Sequence, residues 1–218
     1  MDEPKEHKQI LDPEKLLKAL DWLYEKATTG VSGTKGCWKL AEDYREKYHD
    51  PKLAAKKLAR AQVAKCTLSG TITSIGGIIT LPIALPANIT SVWYVELQMI
   101  AAIAVLGGYD PTHDEVKMLS YACLGGSGVM DTMRTAGVNF AVKGGKILIG
   151  KIPYETIKAI NKKLGMLFIT KWGEKGIINL GKMVPVLGAG VGGGFDLVTS
   201  RIIANTAIKT FLEDQIIE

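Results

Sequence analysis

Residues 66–109 read CTLSGTITSIGGIITLPIALPANITSVWYVELQMIAAIAVLGGY, a run of 44 residues whose only formal charge is Glu96. So apolar a run belongs in a lipid bilayer or at the centre of a helical bundle. Its glycines and prolines restrict how it can be used. Gly70, Gly76 and Gly77 precede LPIALPAN, in which Pro82 and Pro86 interrupt any helix passing through. A helix over 67–81 would be about 22 Å long at 1.5 Å per residue, short of a hydrocarbon core of roughly 30 Å. The second arm, 88–107, has the length to span, yet it carries Glu96 and Gln98 near its middle. The expectation is a helical hairpin with a proline turn, either shallowly inserted in a membrane or buried in protein. Its candidate lipid contacts are Ile78, Ile79, Leu81, Pro82, Ile83, Leu85, Pro86 and Trp93.

Around this run the composition is ordinary for a soluble protein, with 47% hydrophobic residues and a mean hydropathy of +0.13 over 218 residues. That length can bury a core, and the expected organisation is a single domain. Residues 1–10 form a flexible tail, 11–65 an amphipathic helical cap and 66–109 the apolar hairpin. Helices with a lysine-rich face follow over 110–182, then a glycine-rich apolar segment and a last helix over 183–218. The opening MDEPKEHKQ has no apolar stretch behind a basic start, so no secretory signal is expected. Cys37, Cys66 and Cys123 are widely spaced, without a CxxC, and read as reduced, mostly buried thiols.

Asp12-Pro13, Asp50-Pro51 and Asp110-Pro111 each pair a preferred N-cap with a residue tolerated at the first helical position, and so predict helix starts. The helix over 13–28 puts Leu16, Leu20, Leu23 and Ala27 on one stripe. A second, over 36–48, aligns Cys37, Leu40, Ala41, Tyr44 and Tyr48. A third from 51 aligns Ala54, Leu58 and Ala61 opposite a lysine-rich face. A fourth is expected over 111–136, past the small-residue patch Gly125-Gly126-Ser127-Gly128, and a further one near Pro153. Strand signals are few, so the fold class is all-α: a helical bundle with two apolar glycine- and proline-containing segments. Gly70, Gly76 and Gly77 in the first, with Gly188, Gly190, Gly192 and Gly193 in the second, are candidates for close helix packing.

The net charge of +5 is unevenly placed. Residues 138–182 hold nine lysines, no arginine and two acids. Lysine without arginine suits a diffuse anionic surface better than bidentate reading of bases, so anionic lipid headgroups are the expected partner and nucleic acid is not. Lys158, Lys162 and Lys163 are the candidate surface contacts.

Residues 188–193 match GxGxxG, but too little chain follows for the remaining strands of a dinucleotide fold. Two phosphate-loop near matches, ending at Lys151 and Lys182, lack the following Ser or Thr that would hold magnesium. No cofactor is expected. His7, His49 and His113 have no ligand spacing, and no catalytic or metal-binding residue is assigned. Three acids in apolar helical contexts, Glu96, Asp131 and Asp196, are the candidate buried carboxylates, with Glu96 preferred should one be functional.

ALDWLYEKA at 19–27, GGIITLPIALPANITSVWYVELQMIAAIAVLGGYD at 76–110 and WGEKGIINLGKMVPVLGAGVGGGFD at 172–196 resemble, in order, the EcsC family of bacteria. The resemblance covers nearly the whole chain. It implies a helical protein and brings no established catalytic residues, while the family name derives from a gene beside an ABC exporter operon. The expected function is a non-enzymatic protein on the cytoplasmic side of the membrane, peripheral or partly inserted, accessory to a transporter or an envelope process. An ABC transporter or another membrane protein is a candidate partner, and an oligomer is compatible with the sequence. Two other readings stay open: a membrane-perturbing effector that inserts its glycine-rich hairpins, and a carrier or enzyme for a hydrophobic ligand.

Overall fold

A computed structural model describes residues 13–31, 33–67, 87–125, 140–143, 146–149 and 191–213. The first apolar hairpin arm with its proline turn, residues 126–128 of the small-residue patch and the lysine-rich stretch beyond Ile149 lie outside these residues.

Helix α1, Pro13–Thr29, begins at the proline that the sequence marks and buries Leu16, Leu20, Leu23 and Ala27. It stops at Gly30, whose φ of 87° suits a residue without a Cβ and whose N–H returns to the Lys26 carbonyl at 2.8 Å. Helix α2, Cys37–Tyr48, buries Cys37, Leu40 and Ala41. At its end His49 takes a positive φ of 55°, and Asp50 Oδ1 then accepts the Leu53 N–H at 2.6 Å, capping helix α3, Pro51–Thr67. This two-residue link reverses the chain, so α2 and α3 run antiparallel.

Helix α4, Ala87–Leu106, is the second arm of the expected hairpin and is buried nearly all round. Helices α1, α2 and α3 pack directly on it, so the amphipathic segments form walls around α4 rather than a separate cap. Trp93, expected at a lipid contact, is 2% exposed and belongs to the protein core. That placement corrects the expectation, and its physical reason is plain: three amphipathic helices supply the apolar surroundings that a bilayer would otherwise provide.

Helix α5, Asp114–Gly125, starts later than the sequence predicts. Asp110 Oδ1 accepts from the Thr112 N–H at 2.8 Å and from its hydroxyl at 2.7 Å, holding a turn that precedes the helix instead of capping it. Tyr121 donates to Asp21 on α1 at 2.7 Å, and the same carboxylate pairs with Lys117 at 2.8 Å.

Strands β1, Phe140–Lys143, and β2, Lys146–Ile149, form an antiparallel pair that the sequence does not announce. The register Lys143↔Lys146 leaves Gly144-Gly145 as a two-residue connection, a recognised hairpin signal between apolar strands. Helix α6, Val191–Leu212, lies against α3, α4, α5 and β2. One apolar core contains residues from all six described helices, and the fold class is all-α with this hairpin as an addition.

Three helix directions decide which ends meet. Gln98 of α4 donates to the Lys35 carbonyl just before α2, while Arg45 late in α2 donates to the Val105 carbonyl at 2.8 Å, so α2 and α4 run parallel. Ser200 meets Glu96, and Phe211 meets Gly107 and Tyr109, so α6 also runs with α4. Helix α3 is therefore antiparallel to α6. Among the described residues, no helix is long and apolar enough to cross a membrane.

Candidate functional site

Helix α3 carries Lys52, Lys56, Lys57, Arg60 and Lys65 without an acid. Its buried face is built largely from small residues, Ala54, Ala55 and Ala59, with Leu58 and Val63. On α6 the residues four apart, Leu197, Arg201, Asn205 and Lys209, continued by Glu213 just past the helix end, form a ridge beside the buried Ala204 and Ile208. Small side chains keep the two ridges from filling the furrow between them. The result is a half-open groove of about 930 Å³, lined on α3 by Lys56, Ala59, Arg60, Val63 and Ala64 and on α6 by that ridge with Ala204 and Ile208.

Four cations, Lys56, Arg60, Arg201 and Lys209, and one carboxylate, Glu213, line this groove. Because the helices are antiparallel, the start of α3 with Lys56 lies toward the end of α6 with Lys209 and Glu213. Val63 and Ala64 lie toward Leu197. Arg201, one turn from Leu197, lies toward Val63 and Ala64, so three of the four cations gather toward one end of the groove and the other end is mainly apolar. Beside it, Val198 and Ile202 on α6 are 47% and 50% exposed, and Leu53, one turn before Lys56, is 42% exposed. Other surface cations are engaged elsewhere: Lys35 and Lys39 with Asp43, Lys39 with Glu42, and Lys117 with Asp21.

The interior holds a second set of polar groups. Glu96 is fully buried and accepts a hydrogen bond from Ser200 Oγ at 2.7 Å, tying α4 to α6. On the opposite side of α4, Gln62 donates to Gln98 at 2.9 Å, and Tyr94 and Thr34 share a hydrogen bond of 2.7 Å. These bonds give partners to polar side chains whose burial would otherwise be costly, although Gln62 Oε1 keeps none among the described residues, and they fix the register of the helices around α4. Ser200 has a carboxylate beside it, while His49 and His113 are exposed on the surface, so among the described residues no imidazole stands where it could activate a serine nucleophile. Burial pushes the thiols of Cys37 and Cys123 up to about 12, which keeps both protonated and unreactive at neutral pH. No cluster of three potential metal ligands occurs among the described residues.

Of the residues singled out from sequence, Glu96 is placed in the core with a serine partner. Gly192, Gly193 and Asp196 fall in the first turns of α6, where the backbone alone is described. Ile78, Ile79, Leu81, Pro82, Ile83, Leu85, Pro86, Gly70, Gly76, Gly77, Gly188, Gly190, Asp131, Lys158, Lys162 and Lys163 lie outside the described residues, as does the expected pairing of the two glycine-rich segments. Sequence reasoning passes over Arg60 and Lys209, and reads Arg201 only as a possible partner for a buried acid. Their signal is present in five bases without an acid on α3 and in the four-residue spacing of Leu197, Arg201, Asn205 and Lys209, but only the fold brings the two helices together.

The EcsC protein family matches residues 25–212 of this chain. The match spans the described helices from the last turns of α1 onward, and the chain belongs to the EcsC family. No curated protein and no solved structure matches it.

Proposed function

We propose that this EcsC family protein acts by binding, as a peripheral protein of anionic membrane surfaces. The observation that carries the reading is the α3–α6 face, where four cations surround an apolar furrow and the aliphatic side chains of Leu53, Val198 and Ile202 stand exposed. Cations near an anionic surface contribute about 1 kcal/mol each, and exposed aliphatics add apolar contact at the headgroup boundary. The lysine-rich stretch from Lys143 to Lys182, including Lys158, Lys162 and Lys163, adds charge of the same sign. On this reading, service to a transporter or to another envelope process is through attachment at the membrane and not through turnover of a substrate.

The test is cosedimentation with vesicles of phosphatidylcholine alone or containing phosphatidylglycerol. Binding should require the anionic lipid and should weaken with salt, because the screening length falls from about 10 Å at 0.1 M to about 3 Å at 1 M. The double variant Lys56→Gln/Arg60→Gln should bind about tenfold or more weakly while keeping its helical circular dichroism. Equal binding to both vesicle types would refute the proposal.

A further inference from the structure

Resting on that reading, we propose that the α3–α6 groove takes up one single-chain anionic amphiphile, its headgroup held by Lys56, Arg60 and Lys209 and its alkyl chain laid along Ala59, Val63 and Leu197. Three observations converge on this occupant. The first is shape: the volume of about 930 Å³ lies within the range of ligand-binding clefts, and two packed helices with axes roughly 8–10 Å apart leave between their ridges a furrow one chain wide. The second is polarity along the furrow. The antiparallel pairing gathers Lys56, Arg60, Lys209 and Glu213 toward one end, while Val63, Ala64 and Leu197 make the other end mainly apolar with Arg201 at its side, a graded division that suits an amphiphile better than a free anion. The third is access, since the exposed aliphatic side chains of Val198 and Ile202 stand on α6 next to the groove-lining Leu197 and Arg201, which offers an alkyl chain apolar contact outside the groove.

The charge balance selects the headgroup. Four cations against the single carboxylate Glu213 favour an anion over a neutral or zwitterionic head. Arg60 adds a planar donor array suited to phosphate or carboxylate oxygens, while the lysines act as point charges. Glu213 works against the ligand. Its place beside Lys209 makes it the residue whose neutralisation should tighten binding.

The full chain is titrated, by calorimetry and native mass spectrometry, with dodecyl phosphate below its micellar concentration, with dodecyl maltoside as the neutral head on the same chain, and with inorganic phosphate as the head without a chain. The expected result is a one-to-one complex with dodecyl phosphate, with the other two probes at least about tenfold weaker. Arg60→Gln and Lys209→Gln should each weaken it about fivefold, and Glu213→Gln should tighten it by a similar factor. Ala64 and Asn205 are exposed groove-lining positions, so Ala64→Phe or, should that variant fold poorly, Asn205→Trp fills the furrow without overpacking the core. Either substitution should abolish the one-to-one complex with dodecyl phosphate. Vesicle binding without a stoichiometric complex, a maltoside bound as well as the phosphate, or a filled groove that still binds would each overturn the proposal and leave the peripheral reading standing. A parent protein that ignores anionic vesicles overturns the reading itself.

Discussion

Helices α4 and α6 are both apolar, run side by side in the same direction and are joined by the Glu96–Ser200 hydrogen bond, yet they meet their surroundings differently. Neighbouring helices enclose α4 until even its glutamate and glutamine are covered. Only one face of α6 is enclosed, and on the other it exposes Val198 and Ile202 on either side of Arg201. An apolar sequence therefore states a demand for cover without saying what provides it. For α4 the cover is the protein's own amphipathic helices; for α6 part of the demand is left unmet at a basic groove, which is the face that the proposed function turns toward a membrane.

The contrast predicts its own largest effect. Trp93→Ala, in the enclosed helix, removes a large side chain at 2% exposure and should cost about 3–5 kcal/mol in urea unfolding. A loss below about 1 kcal/mol would mean that Trp93 is not core and that α4 faces something other than protein.

Just past the end of α4, Gly107 meets the backbone of Phe211 near the end of α6. A methyl group on Gly107 would collide with the Phe211 carbonyl oxygen, which cannot turn aside as a side chain would. Gly107→Ala should therefore destabilise by about 1–3 kcal/mol. Equal midpoints for parent and variant would show that the α4–α6 junction is looser than described.

A subtler difference lies in pH. Cys37 and Cys123 ionise near 9.0 when unfolded, and desolvation raises both to about 12 in the fold. Burial likewise raises Tyr24 and Tyr121. The folded state binds these protons more tightly, so their contribution is fully present below about pH 9 and is lost as pH rises toward 12. Unfolding free energy should be flat with respect to these groups from neutrality to about pH 8.5 and should then fall. At pH 8 neither thiol should react with an aromatic disulfide reagent until denaturant is added. Rapid labelling of the native protein would show that the enclosure is incomplete.

Much of the fold was legible because its signals are local. The stripe Leu16, Leu20, Leu23 and Ala27 is buried as its spacing requires, and Asp50-Pro51 caps α3 through the bond from the Leu53 N–H. Asp110-Pro111 misled because an aspartate before a proline also makes a side-chain turn, and Thr112 supplied two donors for it. The two-strand hairpin was hidden by its shortness, since four residues a side yield little periodicity and the Gly144-Gly145 cue counts only once both flanks are read as strands. The groove was least legible. Lys56 and Lys209 stand about 150 residues apart in the chain, and a pattern read along one helix does not contain the identity of its neighbour.

The smallest expected change in stability carries the functional side of the comparison. Replacing both Val198 and Ile202 with serine alters side chains about half exposed, and serine is close to the β-branched residues in helix propensity, so unfolding should shift by less than about 0.5 kcal/mol per site. The same double variant removes apolar surface at the place where the groove opens. If α6 faces a membrane, attachment to phosphatidylglycerol vesicles should weaken about tenfold, by burial of roughly 25 cal/mol per Å² lost from two aliphatic side chains. The salt dependence should stay the same, because Lys56, Arg60, Arg201 and Lys209 are untouched. A variant that binds as the parent does would make the exposed aliphatics incidental and leave charge alone to hold the protein at the surface. One that also loses several kcal/mol of stability would place Val198 and Ile202 under cover from the protein itself, and α6 would then be enclosed as α4 is.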